Sequence, residues 1–323
     1  MKAWVYTKYG VSDVLQLKEV VKPSPKEGEV LVKVHHAAVN SWDWDLLRGK
    51  PFIVRLGAPF KPPYKILGAD IAGQVEAIGT GVHSLQPGNE VFGDISGSGW
   101  GGFAEYVCVK ESTLTLKPAS MTFEEAASLP QASVLALQAL RKRPMLQAGE
   151  KVLLNGAGGG VGTFALQLAK LQGAEVTCVD HTEKLDFLQS IGADHVVDYT
   201  QEDFTNTGQK YDLILDVVGN RSPFDYKRAL NRNGTYVMIG GSLTRILQTL
   251  LVGSWLSRHG KQMSILIHKP NQDDQHTIQK LVEDGQVKPM IERCFSLDAL
   301  PQALQHLGEG KAKGKIIVSI RNS

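Results

Sequence analysis

The chain has 323 residues, 42% hydrophobic and 21% charged, with a formal net charge of +2. That length calls for two domains of ordinary size, and a charge balance this even, without basic runs interleaved with aromatics, gives no ground for a nucleic-acid partner. The three cysteines, Cys108, Cys178 and Cys294, make neither a disulfide framework nor a CxxC knuckle, which leads us to expect a reducing, cytoplasmic compartment. In chain order, residues 1–7 read as a strand and not as a signal or transit peptide. Residues 14–20, 29–39, 71–78, 90–94 and 104–109 carry alternating or β-branched patterns, punctuated by Pro-Ser-Pro, Gln-Pro-Gly-Asn and Gly-Ser-Gly-Trp-Gly-Gly. They predict a folded-over antiparallel β-domain. At Thr122 the texture changes: with Glu125 it makes a capping box, and residues 126–140 are then helical, interrupted by Pro130. From Gly149 short β-runs at 151–154, 175–179, 195–198, 211–218, 234–241 and 264–267 alternate with helices. That alternation predicts a doubly wound parallel sheet with crossover helices. Residues 295–307 read as an acidic-capped helix, and 315–320 as a strand that returns to the first domain. The expected division is 1–123 with 292–323, against 124–291. No apolar run is long enough to span a bilayer.

The strand–turn–helix at 151–171 carries the most chemistry. Gly159 and Gly162 keep the last two glycines of the dinucleotide fingerprint, and Ala157 stands where the first would be. A sharp turn, backbone close enough to donate N–H groups to a pyrophosphate, and tight helix–strand packing all require small residues here. Ala157, Gly158, Gly159, Gly160, Val161 and Gly162 are therefore candidate cofactor contacts, with the helix N-terminus adding partial positive charge. Phe164, Leu168 and Leu171 share one side of the helix. A dinucleotide site also wants a group about twenty residues on to read the adenosine ribose, and Asp180 ends the next strand. A carboxylate there accepts from the ribose hydroxyls and repels a 2′-phosphate, which favours NADH over NADPH. His181, Thr182 and Lys184 could contact a phosphate if Asp180 turned away. His35-His36 is the only tempting metal pair, and strand neighbours point to opposite faces. Residues 243–261 place Ile246, Leu247, Leu250, Leu251 and Trp255 at helical spacing, flanked by Arg245, Arg258, His259 and Lys261. This reads as a lid over the substrate pocket or an oligomer contact, with a peripheral membrane-surface helix as the alternative.

Several long motifs in order resemble the medium-chain dehydrogenase/reductase superfamily, in its zinc-free quinone oxidoreductase branch. They are Gly68-Ala-Asp-Ile-Ala-Gly-Gln-Val-Glu-Ala-Ile-Gly-Thr-Gly-Val82, the segment 129–140, Asn155-Gly-Ala-Gly-Gly-Gly-Val-Gly162, Ile191-Gly-Ala-Asp-His-Val-Val-Asp-Tyr199, Asp212-Leu-Ile-Leu-Asp-Val-Val-Gly219 and Gly314-Lys-Ile-Ile-Val318. The resemblance implies an α/β chain with a GroES-like β-rich catalytic domain and a Rossmann domain, and a homodimer. Zinc members carry Gly-His-Glu where this chain has Gly68-Ala69-Asp70, and a cysteine ligand in the loop that here reads Asn40-Ser-Trp-Asp-Trp-Asp45. A catalytic zinc needs at least three protein ligands, so none is expected. The segment 39–48 resembles the family's N-x-x-D-x-x-x-R loop near the nicotinamide. Asn40 would bond the cofactor or the substrate oxygen and Asp43 would order the loop, while Asp45 replaces a tyrosine common in quinone reductases. The resemblance also places Val218, Gly219, Ile239, Gly240 and Gly241 along the nicotinamide and Tyr199 beside the adenine. It implies direct hydride transfer to a small electrophile, a quinone or an α,β-unsaturated carbonyl, in a cleft between the two domains. The alternatives are a zinc-independent alcohol dehydrogenase and a non-catalytic dinucleotide-binding protein.

Overall fold

The computed structural model describes residues 1–56, 58–143, 146–257 and 260–320, with Ile53 described in its backbone only. Among these the strands and helices run β1 Lys2–Val5, β2 Gln16–Glu19, β3 Glu29–Val39, α1 Ser41–Arg48, β4 Asp70–Ile78, β5 Glu90–Asp94, β6 Tyr106–Lys110, β7 Thr115–Leu116, α2 Phe123–Ser128, α3 Pro130–Leu140 and β8 Lys151–Asn155. There follow α4 Gly160–Leu171, β9 Glu175–Asp180, α5 Leu185–Ser190, β10 His195–Asp198, β11 Tyr211–Asp216, α6 Pro223–Ala229, β12 Leu230–Met238, α7 Leu243–Leu256, β13 Gln262–Ile265, α8 Gln272–Glu283, β14 Ile291–Ser296, α9 Leu300–Gly308 and β15 Lys315–Ser319.

Two compact units emerge. The first comprises Met1–Val134, Pro270–Gly285 and the stretch that begins at Ile291; the second comprises Leu135–Lys269 and Gln286–Met290. The division falls inside α3, eleven residues beyond the 123/124 expected from sequence. The reason is that α2 packs on β3, β4 and β15 of the first unit. Helix α8, expected in the second unit, belongs to the first, where Gln272 Nε2 donates to the Leu114 carbonyl at 2.7 Å.

The first unit is a seven-stranded, largely antiparallel sheet in the order β14-β15-β3-β4-β5-β7, with β6 also paired to β3. Its long strand β3 alternates over a core of Val30, Val32, Val34, Ile71, Phe103, Leu114, Ile316 and Val318. Its pairing with β4 slips between Val34 and His36, a bulge that sets His35 apart from the ladder. His35 stacks on Phe123, ring centroids 4.2 Å apart. The segment expected to be helical from residue 295 is strand up to Ser296, because β14 pairs in parallel with β15.

The second unit is a six-stranded sheet in the order β10-β9-β8-β11-β12-β13, parallel throughout. Helix α4 packs on β8 and β9 and buries Phe164, Ala165, Leu166, Leu168 and Ala169. At ~25 cal/mol per Å², Phe164 alone contributes on the order of 2 kcal/mol. Leu171, on the same side as Phe164 and Leu168 by its spacing, is half-exposed at the helix end. Helix α7 leaves Leu247, Leu250, Leu251 and Trp255 exposed; the flanking Arg258 and His259 lie outside the described residues. Among the described residues no helix is long and apolar enough to cross a membrane.

Candidate dinucleotide site and a buried polar cluster

At the end of β8, Gly156 takes φ +82°, so the turn reverses at the residue before Ala157, and Ala157 itself is fully buried. Gly159 is the N-cap of α4, leaving the first N–H groups of the helix without intrahelical partners. A Cβ at Gly162 would meet the Ala157 carbonyl oxygen at 2.4 Å, and one at Gly158 would meet Lys184 Cδ at 2.6 Å. Only glycine lets the helix lie this close to the strand, and only glycine leaves the mouth of the turn open.

Asp180, the last residue of β9, is buried against this turn. Its carboxylate accepts from the Gly158 N–H at 2.7 Å and the His181 N–H at 2.8 Å, and pairs with Lys184 Nζ at 3.5 Å. Lys184 is buried as well. His181 lies edge-on to the half-exposed Tyr199, ring centroids 6.2 Å apart. At the ends of β11 and β12, Gly219 (φ +61°) and Gly241 (φ +154°) pack backbone against backbone. A Cβ at Gly219 would meet the Gly240 oxygen at 2.5 Å, and one at Gly240 the Val217 oxygen at 2.4 Å. Val218 is half-exposed beside them and Ile239 partly exposed.

The loop carrying Gly219 hangs from Asp216, a fully buried residue that sequence reasoning did not single out. Asp216 Oδ1 accepts from the Gly219 N–H and Asn155 Nδ2, both at 2.8 Å, and Oδ2 accepts from the Tyr236 hydroxyl at 2.9 Å. Burial pushes its carboxyl above the usual range, and these donors pull it back.

In the first unit, Asn40 and Asp43 open helix α1, which sequence reading took for a loop. Asp43 is fully buried and accepts from the Asn40 N–H at 2.8 Å and the Gly68 N–H at 2.9 Å. Burial pushes its carboxyl up to about 7. The Asn40 side chain is engaged on both sides: Nδ2 donates to Asp70 Oδ2 at 2.9 Å, and Oδ1 accepts from Lys315 Nζ at 2.6 Å. Asp70 also accepts from the Gln131 N–H at 3.2 Å, a donor left over because Pro130 starts α3. Burial raises Asp70 to about 6 against the pull of Lys315. Asp45 is held by Arg48 at 2.8 Å. Trp100 is core, Trp44 packs against the core, and Trp42 is half-exposed.

Where zinc members place a histidine, Ala69 is buried and offers no donor. Among the described residues no group of three or more His, Cys, Asp or Glu side chains is placed to hold a metal, so the residues present do not fit a catalytic zinc.

Two family models match the chain: an alcohol dehydrogenase GroES-like domain over residues 26–119 and a zinc-binding dehydrogenase over residues 191–318. The 2-methylene-furan-3-one reductase of Solanum lycopersicum is 34% identical over 98% of this chain and 79% of its own. The chloroplastic NADPH-dependent alkenal/one oxidoreductase of Arabidopsis thaliana is 33% identical over the same shares, 98% and 79%. Among solved structures, the quinone oxidoreductase from Coxiella burnetii matches with a TM-score of 0.88 at 28% identity, covering 99% of both chains.

Proposed function

The chain belongs to the quinone oxidoreductase branch of the medium-chain dehydrogenase/reductase superfamily, and from that premise we propose that it is an NAD(P)H-dependent reductase of quinones or α,β-unsaturated carbonyls. The observation that carries this reading is the turn at 156–162, where Gly156, Gly158 and Gly162 leave no room for a Cβ and helix α4 begins at Gly159 without a side-chain cap. When bound, the nicotinamide cofactor supplies the hydride. The chain's own residues do the rest. The N–H groups at the start of α4 bind the pyrophosphate without a cation. Asp180 accepts from the adenosine ribose hydroxyls. Lys184 is committed to Asp180 at 3.5 Å and is not a spare cation for a 2′-phosphate, which supports NADH as the preferred cofactor. Gly219, Gly240 and Gly241 let backbone approach the nicotinamide side, and the Asp216 bonds fix that backbone. Asn40 hydrogen-bonds the substrate oxygen, and Asp43 holds the start of α1 that presents it.

Anaerobic mixing of the protein with NADH or NADPH over a panel of quinones, enals and simple alcohols tests the reading. Cofactor oxidation by at least one quinone or enal is expected. No oxidation by any of them sinks it, and alcohol-dependent NAD reduction alone would make the protein a zinc-independent alcohol dehydrogenase instead.

A further inference from the structure

Lys315 is 2% exposed on β15, so its ammonium has given up water and must find its partners inside the protein. Burial lowers the Lys315 pKa from its ordinary value, and three carboxylates that face it pull it back up and favour the charged form: Asp70 of β4, with Oδ2 at 3.5 Å, Asp43 of α1 and Asp94 of β5. Its shortest contact is with a neutral group, the Asn40 carbonyl oxygen at 2.6 Å. A carboxamide has two orientations of nearly equal shape and opposite hydrogen-bonding polarity. In the observed one, Nδ2 meets the Asp70 carboxylate and Oδ1 meets the ammonium. Turned over, oxygen would face carboxylate and N–H₂ would face ammonium, like against like on both sides. The ammonium and the carboxylate together therefore admit one orientation. Removing the ammonium lifts half of that constraint. Protonating Asp70 lifts the other half, because a neutral carboxyl both donates and accepts.

We propose that Lys315 is a positioning residue for the reductase reaction: its buried ammonium holds the Asn40 carboxamide in the orientation that offers Nδ2–H, as a donor, to the substrate oxygen. The proposal rests on the reductase reading. When hydride adds to the β-carbon of an enone or to a quinone, an electron pair moves onto the carbonyl oxygen, which then takes a proton from water. A donor stabilises that developing negative charge, and an acceptor in its place would repel it.

The test compares wild type with Lys315→Met, Lys315→Arg and the double variant Lys315→Met/Asp70→Asn. The double variant leaves no unpaired charge at Asp70, so it separates folding from function should Lys315→Met alone unfold. Steady-state rates across pH with a quinone or enal should show kcat at least about tenfold lower in Lys315→Met, with KM for NADH within about twofold. Its acid limb should move to higher pH, because Lys315 is what draws the Asp70 carboxyl down. Lys315→Arg should restore both. The double variant should fold, stay slow, and lose the limb that belongs to Asp70. A folded variant without the ammonium that keeps the wild-type rate and acid limb overturns the proposal. So does an equal loss in Lys315→Met and Lys315→Arg with the limb unmoved. A second readout needs no turnover: the side-chain N–H₂ resonances of Asn40, assigned through Asn40→Asp, should form one sharp pair in wild type and shift or broaden in the double variant. Unchanged resonances overturn the orientation lock whether or not the protein turns over. Absent turnover in wild type overturns the reductase reading alone.

Discussion

Asp180 and Asp43 are both buried carboxylates that accept two backbone N–H groups, yet only Asp180 has a counter-ion of its own at contact distance, Lys184. The difference sets what each substitution should do. Asp180→Ser removes an acceptor for ribose hydroxyls, and hydrogen bonds to a charged group are worth about 1.5–3 kcal/mol. NADH affinity should fall about tenfold or more by fluorescence titration, while NADPH is spared or improved; equal losses on both would refute the ribose role. Asp43 tests a pH dependence. Its folded value of about 7 stands above its ordinary 3.8, so the folded chain holds a proton that the unfolded chain releases. That contribution to stability is complete below about pH 4 and is lost as pH rises through about 7. Against Asp43→Asn, which does not titrate, the wild-type advantage in denaturant midpoint should narrow between about pH 4 and 7; a constant difference contradicts the assignment. Local spacing is why Asp180 could be read from sequence: it lies one strand after the glycine turn. Lys315 could not, since its partner Asn40 is 275 positions away and neither residue has a pattern that points to the other.

At the scale of elements, the strand–turn–helix at β8 and α4 was legible because each step is local: a β-run, small residues, then helical spacing. Gly162→Ala probes it directly. A Cβ 2.4 Å from the Ala157 oxygen forces α4 away from β8, an overpacking cost of about 1–3 kcal/mol. Thermal denaturation should report the loss and cofactor titration should weaken with it; an unperturbed melt with wild-type binding would contradict the tight packing read here. Elsewhere locality failed. Helix α1 was hidden because Ser41–Arg48 is only eight residues long and carries two tryptophans and three charged residues, although Asn40 and Asp43, spaced as cap and third helical residue, were a usable signal. Strand β14 was missed, with Phe295 and Ser296 taken into the following helix, because Ile291–Ser296 is mostly exposed. An edge strand with one neighbour shows no inward–outward alternation to read.

For the whole molecule, alternation of β-runs and helices was enough to foresee the parallel sheet of the second unit, because such connections leave few topologies open. The assignment of α8 to the first unit was not foreseeable from spacing; it depends on contacts such as Gln272 with Leu114. The same holds for β15, whose motif pointed to a strand but not to its antiparallel pairing with β3 through Ile316–Val39 and Ile317–Ala38. A chain ending after Gly314 should lose this pairing and the counter-ion of Asp70 together, and its soluble yield should collapse; wild-type yield and melting behaviour would show that β15 is dispensable. The order in which the ribosome makes the chain gives this strand a further consequence. The first unit is interrupted by the second: β3 is made before the parallel sheet, and β15, which pairs with its 36–39 end, is made after it, while β6 already covers 29–33. All of the parallel sheet is translated while residues 36–39 of that edge stay open. A nascent chain is thus exposed to sticking at this end of β3 until β15 is made, and chaperone capture of stalled chains should persist until the codons for residues 315–319 have been read.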